Sequence, residues 1–160
     1  AANEIESAAN RENAIRFLST DDISEATADE GLLQHILTNL LGNAVKYSRP
    51  NEVVDFELRR SGTDAQFIIR DRGCGIPKAD QARLFTAFYR GSNVGKTSGS
   101  GLGLVIANRC VDLHGGTIAC ESEQGVGTTF TVTLPLFDGT RIFRRRPSGE
   151  IAAATFATVI

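Results

Sequence analysis

The 160-residue chain predicts a single α+β domain. Two observations carry that reading. Apolar residues recur at helical spacing in two long stretches, and short alternating or β-branched runs lie between and after them. The length suits one domain with one substantial core.

The elements follow in order. Residues 1–14 are polar and Ala-rich and predict a frayed end. Ile15 to Leu18 form a short β-like run, and Ile23 to Ala26 a second one after polar turn residues. Residues 29–47 predict a helix: Asp29 suits its start, and Leu33, Ile36, Leu37, Leu40 and Ala44 share a face. Pro50 prevents continuation. Val54, Phe56 and Leu58 alternate as a strand, Phe67 to Ile69 form another, and Ser61 to Asp64 lie between as a hairpin turn. Asp71 to Pro77 is a Gly-rich break, and Lys78 to Phe88 predicts a short helix. Arg90 to Ser100 lacks a core pattern and reads as a mobile loop. Leu102 to Leu113 predicts a second long helix, ended by Gly115 and Gly116. Thr117 to Glu121 and Thr128 to Leu134 complete the strands, with Gly125 and Gly127 in their turn. From Phe137 onward come Arg144, Arg145, Arg146, Pro147 and an apolar end, Ile151 to Ile160. That tail reads as a solvated charge run with a loosely packed end, or as a docking segment. The predicted division is therefore 1–28 (N-terminal segment and first strands), 29–136 (core) and 137–160 (tail of unassigned role).

Composition narrows the function. Apolar residues at 41% and charged residues at 22% describe a globular chain rather than a disordered one. A net charge of -2 argues against a nucleic-acid surface. No apolar run approaches the roughly 20 residues of a membrane helix, and no signal peptide opens the chain. A soluble chain is expected, whatever anchors a parent protein. Cys74, Cys110 and Cys120 are odd in number and lack C-x-x-C spacing, which disfavours zinc and a disulfide framework and makes a reducing cytoplasm the default. The absence of Met, even at position 1, fits a piece of a longer or processed protein.

Three segments carry candidate chemistry. At about 100° per residue, Asn39, Asn43 and Lys46 fall in one stripe of the first long helix, away from its apolar face. Amide oxygens suit Mg2+, and a lysine one turn away can meet the same phosphates. Alone, the stripe also describes a solvated helix face. Next, D-R-G-C-G-I-P over 71–77 places Asp71 at a strand end, where a carboxylate can accept from an exocyclic amine. Gly73 and Gly75 let the backbone approach a flat ligand, although Asp and Gly also make plain turns. Last, G-S-G-L-G-L over 99–104 runs into a helix, whose bare N–H groups form an anion site. Gly91 to Thr97 is one residue short of a P-loop and follows no strand, and residues 99–104 lack dinucleotide-fingerprint spacing.

Taken in order, N-L-L-G-N-A-V-K-Y, D-R-G-C-G-I, L-F-T-A-F-Y-R-G, G-S-G-L-G-L and G-V-G-T-T-F resemble the nucleotide-binding boxes of the GHKL superfamily, from about Asp29 to Pro135. That group includes DNA gyrase, the ninety-kilodalton heat-shock chaperones, MutL and the histidine kinases. The resemblance implies a two-layer α/β sandwich of the Bergerat type, with a mixed sheet packed on helices and ATP between helices and a lid. It implies Asn43 as main Mg2+ ligand with Asn39 beside it, and Lys46 and Tyr47 facing phosphate or ribose. Asp71 would take the adenine amine, with Gly73, Gly75 and Ile76 in the adenine loop and Thr128 beside Asp71. Arg90 would reach the terminal phosphate, residues 91–100 would be the lid, and Gly99, Gly101, Leu102 and Gly103 would hold phosphates. Phe85 and Phe88 match the F box, and core packing is the favoured reading for both.

One position chooses the branch. Hydrolysing members carry a water-activating Glu where this chain has Asn39, and an amide is no general base at neutral pH. The K-Y-S, F-Y-R-G and D-L-H-G-G segments resemble histidine kinases in particular. The resemblance then implies γ-phosphoryl transfer to a histidine on a separate dimerisation domain, with a response-regulator receiver domain downstream, no nucleic-acid partner and a monomeric isolated domain. His35 and His114 both fit structural positions and neither is assigned as acceptor. A conformational ATPase and a nucleotide-binding pseudokinase are the alternative readings. An anti-sigma serine kinase shares the fold but fits the Lys46-Tyr47 pair and the F box less well.

Overall fold

The computed structural model describes residues 14–19, 26–95 and 97–137. The arginine cluster, the apolar tail, residues 1–13 and most of the Ile23 run lie outside the described residues. The elements are β1 (Ile15–Ser19), α1 (Glu30–Tyr47), β2 (Val54–Ser61), β3 (Asp64–Asp71), α2 (Lys78–Gln81), α3 (Gly103–Leu113), β4 (Thr117–Glu123) and β5 (Gly127–Leu134). The five strands form one mixed sheet in the order β1-β2-β3-β5-β4. β1 runs parallel to β2, and the other pairs are antiparallel. This is the expected two-layer α+β arrangement. Among the described residues no helix is long and apolar enough to cross a membrane.

Alternation explains the layering. Val54, Phe56 and Leu58, then Ala65, Phe67 and Ile69, then Phe130, Val132 and Leu134 all fall on the buried face. Leu33, Ile36, Leu37, Leu40, Leu41, Ala44 and Val45 of α1 meet them, joined by Ala107, Cys110 and Val111 of α3. The opposite face carries half-buried or exposed Glu57, Arg59, Gln66, Arg70, Thr129, Thr131 and Thr133. Near the start of β2, Asp55 receives Arg16 at 2.6 Å and Arg72 at 3.0 Å, which ties β1 and the residue after β3 to β2.

Local signals set most boundaries. Asp29 caps α1, its side chain accepting from Leu32 N–H at 2.9 Å. Beyond α1, Pro50 occupies a turn closed from Glu52 N–H to Arg49 C=O at 3.2 Å, with Asn51 at φ 64°. A buried histidine fastens the two long helices. His114 Nε2 accepts from Asp29 N–H at 3.2 Å, and Nδ1 lies 3.3 Å from the Cys110 carbonyl. It therefore holds the start of α1 to the end of α3. His35 is exposed.

Two expectations need correction. Lys78 to Phe88 is not one helix: α2 ends at Gln81. Arg83, Leu84, Thr86 and Tyr89 instead donate to carbonyls three residues back, and these tighter turns replace the α-helical ladder. Phe88 is not a core residue. It is 74% exposed with φ 63°, because its N–H bonds Gly101 C=O at 3.1 Å and the left-handed backbone turns its ring outward. Phe85, half-buried against the core, does pack as expected.

Burial lowers the His114 pKa below its ordinary 6.5, partly offset by the Cys110 bond and the Asp29 charge. The unfolded state then takes up the proton first as pH falls. This contribution to stability is full above about pH 6.5 and is lost as pH falls through the folded-state value. Thermal unfolding followed by circular dichroism between about pH 7.5 and about pH 5.5 should show a falling midpoint, with a flatter slope in His114→Gln. An equal slope in the variant would place the titration elsewhere.

Candidate functional site

One cavity of about 290 Å³ opens between α1, the lid segment and the ends of β3 and β5. Asn39, Asn43, Lys46 and Tyr47 line it from α1, and Asp71 and Thr128 from the paired strand ends. Gly75 and Ile76, Arg90, and Gly99, Gly101 and Gly103 also line it. Gly73 and Leu102 lie outside this lining. Gly91, Asn93, Val94 and Ser100 of the 91–100 segment line it as well, as do Leu84, Tyr89, Leu104 and Phe130, which fall within the motifs without an assigned role.

The polar end of β3 is held by its neighbours. Asp71 Oδ1 accepts Gly73 N–H at 2.9 Å and Thr128 N–H at 3.2 Å. Both bonds fall on Oδ1, which leaves Oδ2 as the acceptor available to a ligand. Burial raises the Asp71 pKa, and the two backbone bonds only partly offset it. The chain thus keeps a carboxylate where folding alone does not favour its charge.

The loop after β3 owes its glycines to protein contacts rather than to a ligand. A Cβ on Gly73 would lie 2.1 Å from the Tyr47 carbonyl oxygen, where Ser48 and Gly73 bridge. A Cβ on Gly75 would lie 2.0 Å from the Glu123 carbonyl oxygen, and Gly75 also has φ 65°. Ser122 Oγ accepts Ile76 N–H at 2.8 Å, and Gln81 donates to Ile76 C=O at 3.0 Å and Ser122 C=O at 2.9 Å. No local pattern announces Ser122 or Gln81, because their partners lie on other elements.

Around Lys46 and the start of α3 the lining combines cations and bare backbone. Lys46 Nζ packs 4.9 Å from the Tyr47 ring centre and borders Gly99, where a Cβ would approach it to 2.7 Å. Arg90 donates to the Thr97 carbonyl. α3 has no side-chain N-cap, so its first N–H groups stay open. Asn39 Nδ2 donates to His35 C=O at 2.7 Å, and its Oδ1 faces Gly103, 2.9 Å from where a Cβ would stand. Among the thiols, Cys74 lines the cavity, Cys110 is buried, and burial pushes Cys120 up to about 11.

Residues 28–138 match the family described as Histidine kinase-, DNA gyrase B-, and HSP90-like ATPase. The circadian input-output histidine kinase CikA of Synechococcus elongatus is 44% identical over 110 residues, covering 68% of this chain. The chain spans only 15% of CikA's length. Among solved structures, the mycobacterial sensor histidine kinase MprB superposes with a TM-score of 0.72 at 26% identity, covering 84% of this chain and 90% of that one. Full-length ShkA in complex with AMPPNP superposes with a TM-score of 0.69 at 29% identity, covering 83% of this chain and 27% of that one.

The glycine contacts separate two costs. Gly75→Ala should lose about 2–4 kcal/mol, from the positive φ and the clash with Glu123 backbone. Gly62→Ala, at φ 62° with open space around it, should lose only about 1 kcal/mol. Urea denaturation of both variants tests this, and equal losses would show that the Gly75 crowding is relieved by a small shift.

Proposed function

The chain belongs to the histidine kinase-, DNA gyrase B-, and HSP90-like ATPase family, and we propose that it is the ATP-binding catalytic part of a sensor histidine kinase. In this reading it donates the γ-phosphoryl group of ATP to a histidine on a separate dimerisation domain, from which a receiver domain takes it. The observation that supports the reading is convergence. Segments scattered from Asn39 to Phe130 line a single cavity, with amides and cations at one end and a buried carboxylate at the other.

Each residue then has a role. Asp71 Oδ2 accepts the adenine amine while Oδ1 stays with the backbone, Thr128 supports Asp71, and Ile76, Leu104 and Phe130 supply apolar walls. Gly73 and Gly75 hold the loop close enough to serve as the adenine floor. Lys46, Tyr47 and Arg90 face ribose and phosphates, and the backbone of Gly99, Gly101 and Gly103 meets phosphate oxygens at the open N-terminus of α3, while Leu102 N–H is held by Ser100 Oγ. Asn43, with Asn39 beside it, would hold the metal. Among the described residues no group of three or more His, Cys, Asp or Glu could hold an ion by itself. A few amide oxygens therefore fit a Mg2+ that keeps waters and shares the nucleotide's phosphates. Asn39 donates its amide N–H to His35 C=O and keeps its amide oxygen, so it can stand beside Asn43 in that role. When bound, Mg2+ neutralises phosphate charge. The chain itself positions ATP for in-line attack, and Asn39 supplies no base to activate water.

Asn43→Ala should weaken MgATP binding about tenfold or more by calorimetric titration, since a lost contact to a charged group is of that size. Unchanged affinity with Mg2+ present would remove Asn43 from the metal. Asp71→Asn separates binding from folding. The amide can keep both backbone bonds at Oδ1 but sets an N–H donor against the adenine amine. ATP affinity should fall about a hundredfold. The melting temperature should hold or rise, because the charge whose burial raises the Asp71 pKa is gone. Loss of stability together with binding would make Asp71 a structural residue.

A further inference from the structure

The lid is held at its near end by a residue behind the cavity wall. We propose that Asp80 is a positioning residue that moors Tyr89 to Ser92 and thereby sets Arg90 at the phosphate end of the cavity. The proposal rests on the reading of that cavity as an ATP site.

Asp80 lies on α2 and is only 8% exposed, yet it is absent from the cavity lining. One carboxylate oxygen accepts the Tyr89 hydroxyl. The other accepts Ser92 N–H at 2.9 Å and Ser92 Oγ at 2.8 Å. Tyr89 and Ser92 flank Arg90 and Gly91, so one carboxylate grips the chain on both sides of the arginine. The Arg83 guanidinium stacks 4.4 Å over the Tyr89 ring and fixes it from a second side. One residue further on, Asn93 Nδ2 donates to Gly75 C=O at 3.0 Å, which ties the same stretch to the loop after β3. Beyond it, Gly95 has φ 50° with open space where its Cβ would stand, and Thr97 N–H bonds Val94 C=O at 3.1 Å. At the base of the lid, Phe88 N–H bonds Gly101 C=O. The near half of the lid, which carries Arg90, is thus held from Asp80 and from Gly75, and the Arg90 side chain in turn donates to the Thr97 carbonyl.

The bonds suit an ionised carboxylate. The Tyr89 hydroxyl first, then the two Ser92 donors, hold the Asp80 pKa below its ordinary 3.8, and the same bond raises that of Tyr89. Charge-assisted bonds of this kind are the strong ones. An uncharged amide in place of Asp80 would leave the adenine contacts intact and release the segment carrying Arg90. ADP lacks the phosphate that Arg90 is read to meet, so the loss should fall on ATP.

The test titrates MgATP and MgADP against the full chain, Asp80→Asn, Tyr89→Phe, Arg90→Ala and the Asp80→Asn/Arg90→Ala pair. Asp80→Asn should weaken MgATP about tenfold and MgADP less than about twofold, with Tyr89→Phe smaller in the same direction. The pair should bind MgATP no worse than Arg90→Ala alone, because both changes remove one contact. Equal weakening of both nucleotides, or full additivity in the pair, would overturn the proposal. Amide hydrogen exchange at Ser92 should quicken about tenfold in Asp80→Asn, and unchanged exchange would overturn the mooring itself. A chain that binds neither nucleotide would instead overturn the ATP reading, and Ser92 exchange would still decide the mooring. Should Asp80→Asn not fold, Tyr89→Phe carries the same comparison with one donor removed.

Discussion

Three stretches of backbone approach one another more closely than any side chain would allow, and the site depends on that approach. Gly73 meets the last turn of α1 at the Tyr47 carbonyl, Gly75 meets the β4–β5 turn at Glu123, and Gly127 meets the Asp71 carbonyl. These contacts bring the end of the amide-bearing helix, the end of β3 and the turn between β4 and β5 to one place. Asp71 can then use one oxygen for Gly73 and Thr128 and keep the other for a ligand. A Cβ at any of these positions would force backbone to move, and the cavity would move with it. The glycines matter to ligand binding through protein contacts, not through the ligand's own shape.

Two aspartates on this framework show how surroundings divide one side-chain type into two tasks. Asp71 is raised because burial outweighs two backbone donors, and Asp80 is lowered because three donors outweigh burial. The first is a carboxylate held at some cost where a ligand can satisfy it. The second is already satisfied by the protein and acts as an anchor. Donor count thus sets the two apart, although both residues are nearly hidden from water.

The two long helices and the inner strands β2, β3 and β5 were legible because their burial has a period. Leu33, Ile36, Leu37, Leu40 and Ala44 lie where helical spacing puts them, and Asp29 caps as a short polar residue does before such a run. The stretch from Lys78 to Phe88 was not legible. Its apolar spacing suits a helix, but Asp80 and Gln81 are drawn to Ser92, Tyr89, Ile76 and Ser122, and these bonds favour tighter turns. Nor is the exposure of Phe88 legible locally, since its conformation answers to Gly101. Of the candidate site residues, most line the cavity, whereas Gly73 and Leu102 stand behind it.

The sequence by itself determined the helix and strand periods, the polar stripe Asn39–Asn43–Lys46, the strand-end Asp71 and the glycine-rich entry to α3. These are properties of residue type and short spacing, and near neighbours suffice to express them. Only the tertiary structure decided that these segments share one cavity, which oxygen of Asp71 is left for a ligand, and that Asp80 grips the lid on both sides of Arg90. Each of those facts needs partners from separate elements, such as Asp71 with Thr128 or Ile76 with Ser122. Such contacts form only when the whole core closes, because the entropy lost in joining distant segments is repaid by packing spread over the whole fold rather than by the contacts themselves.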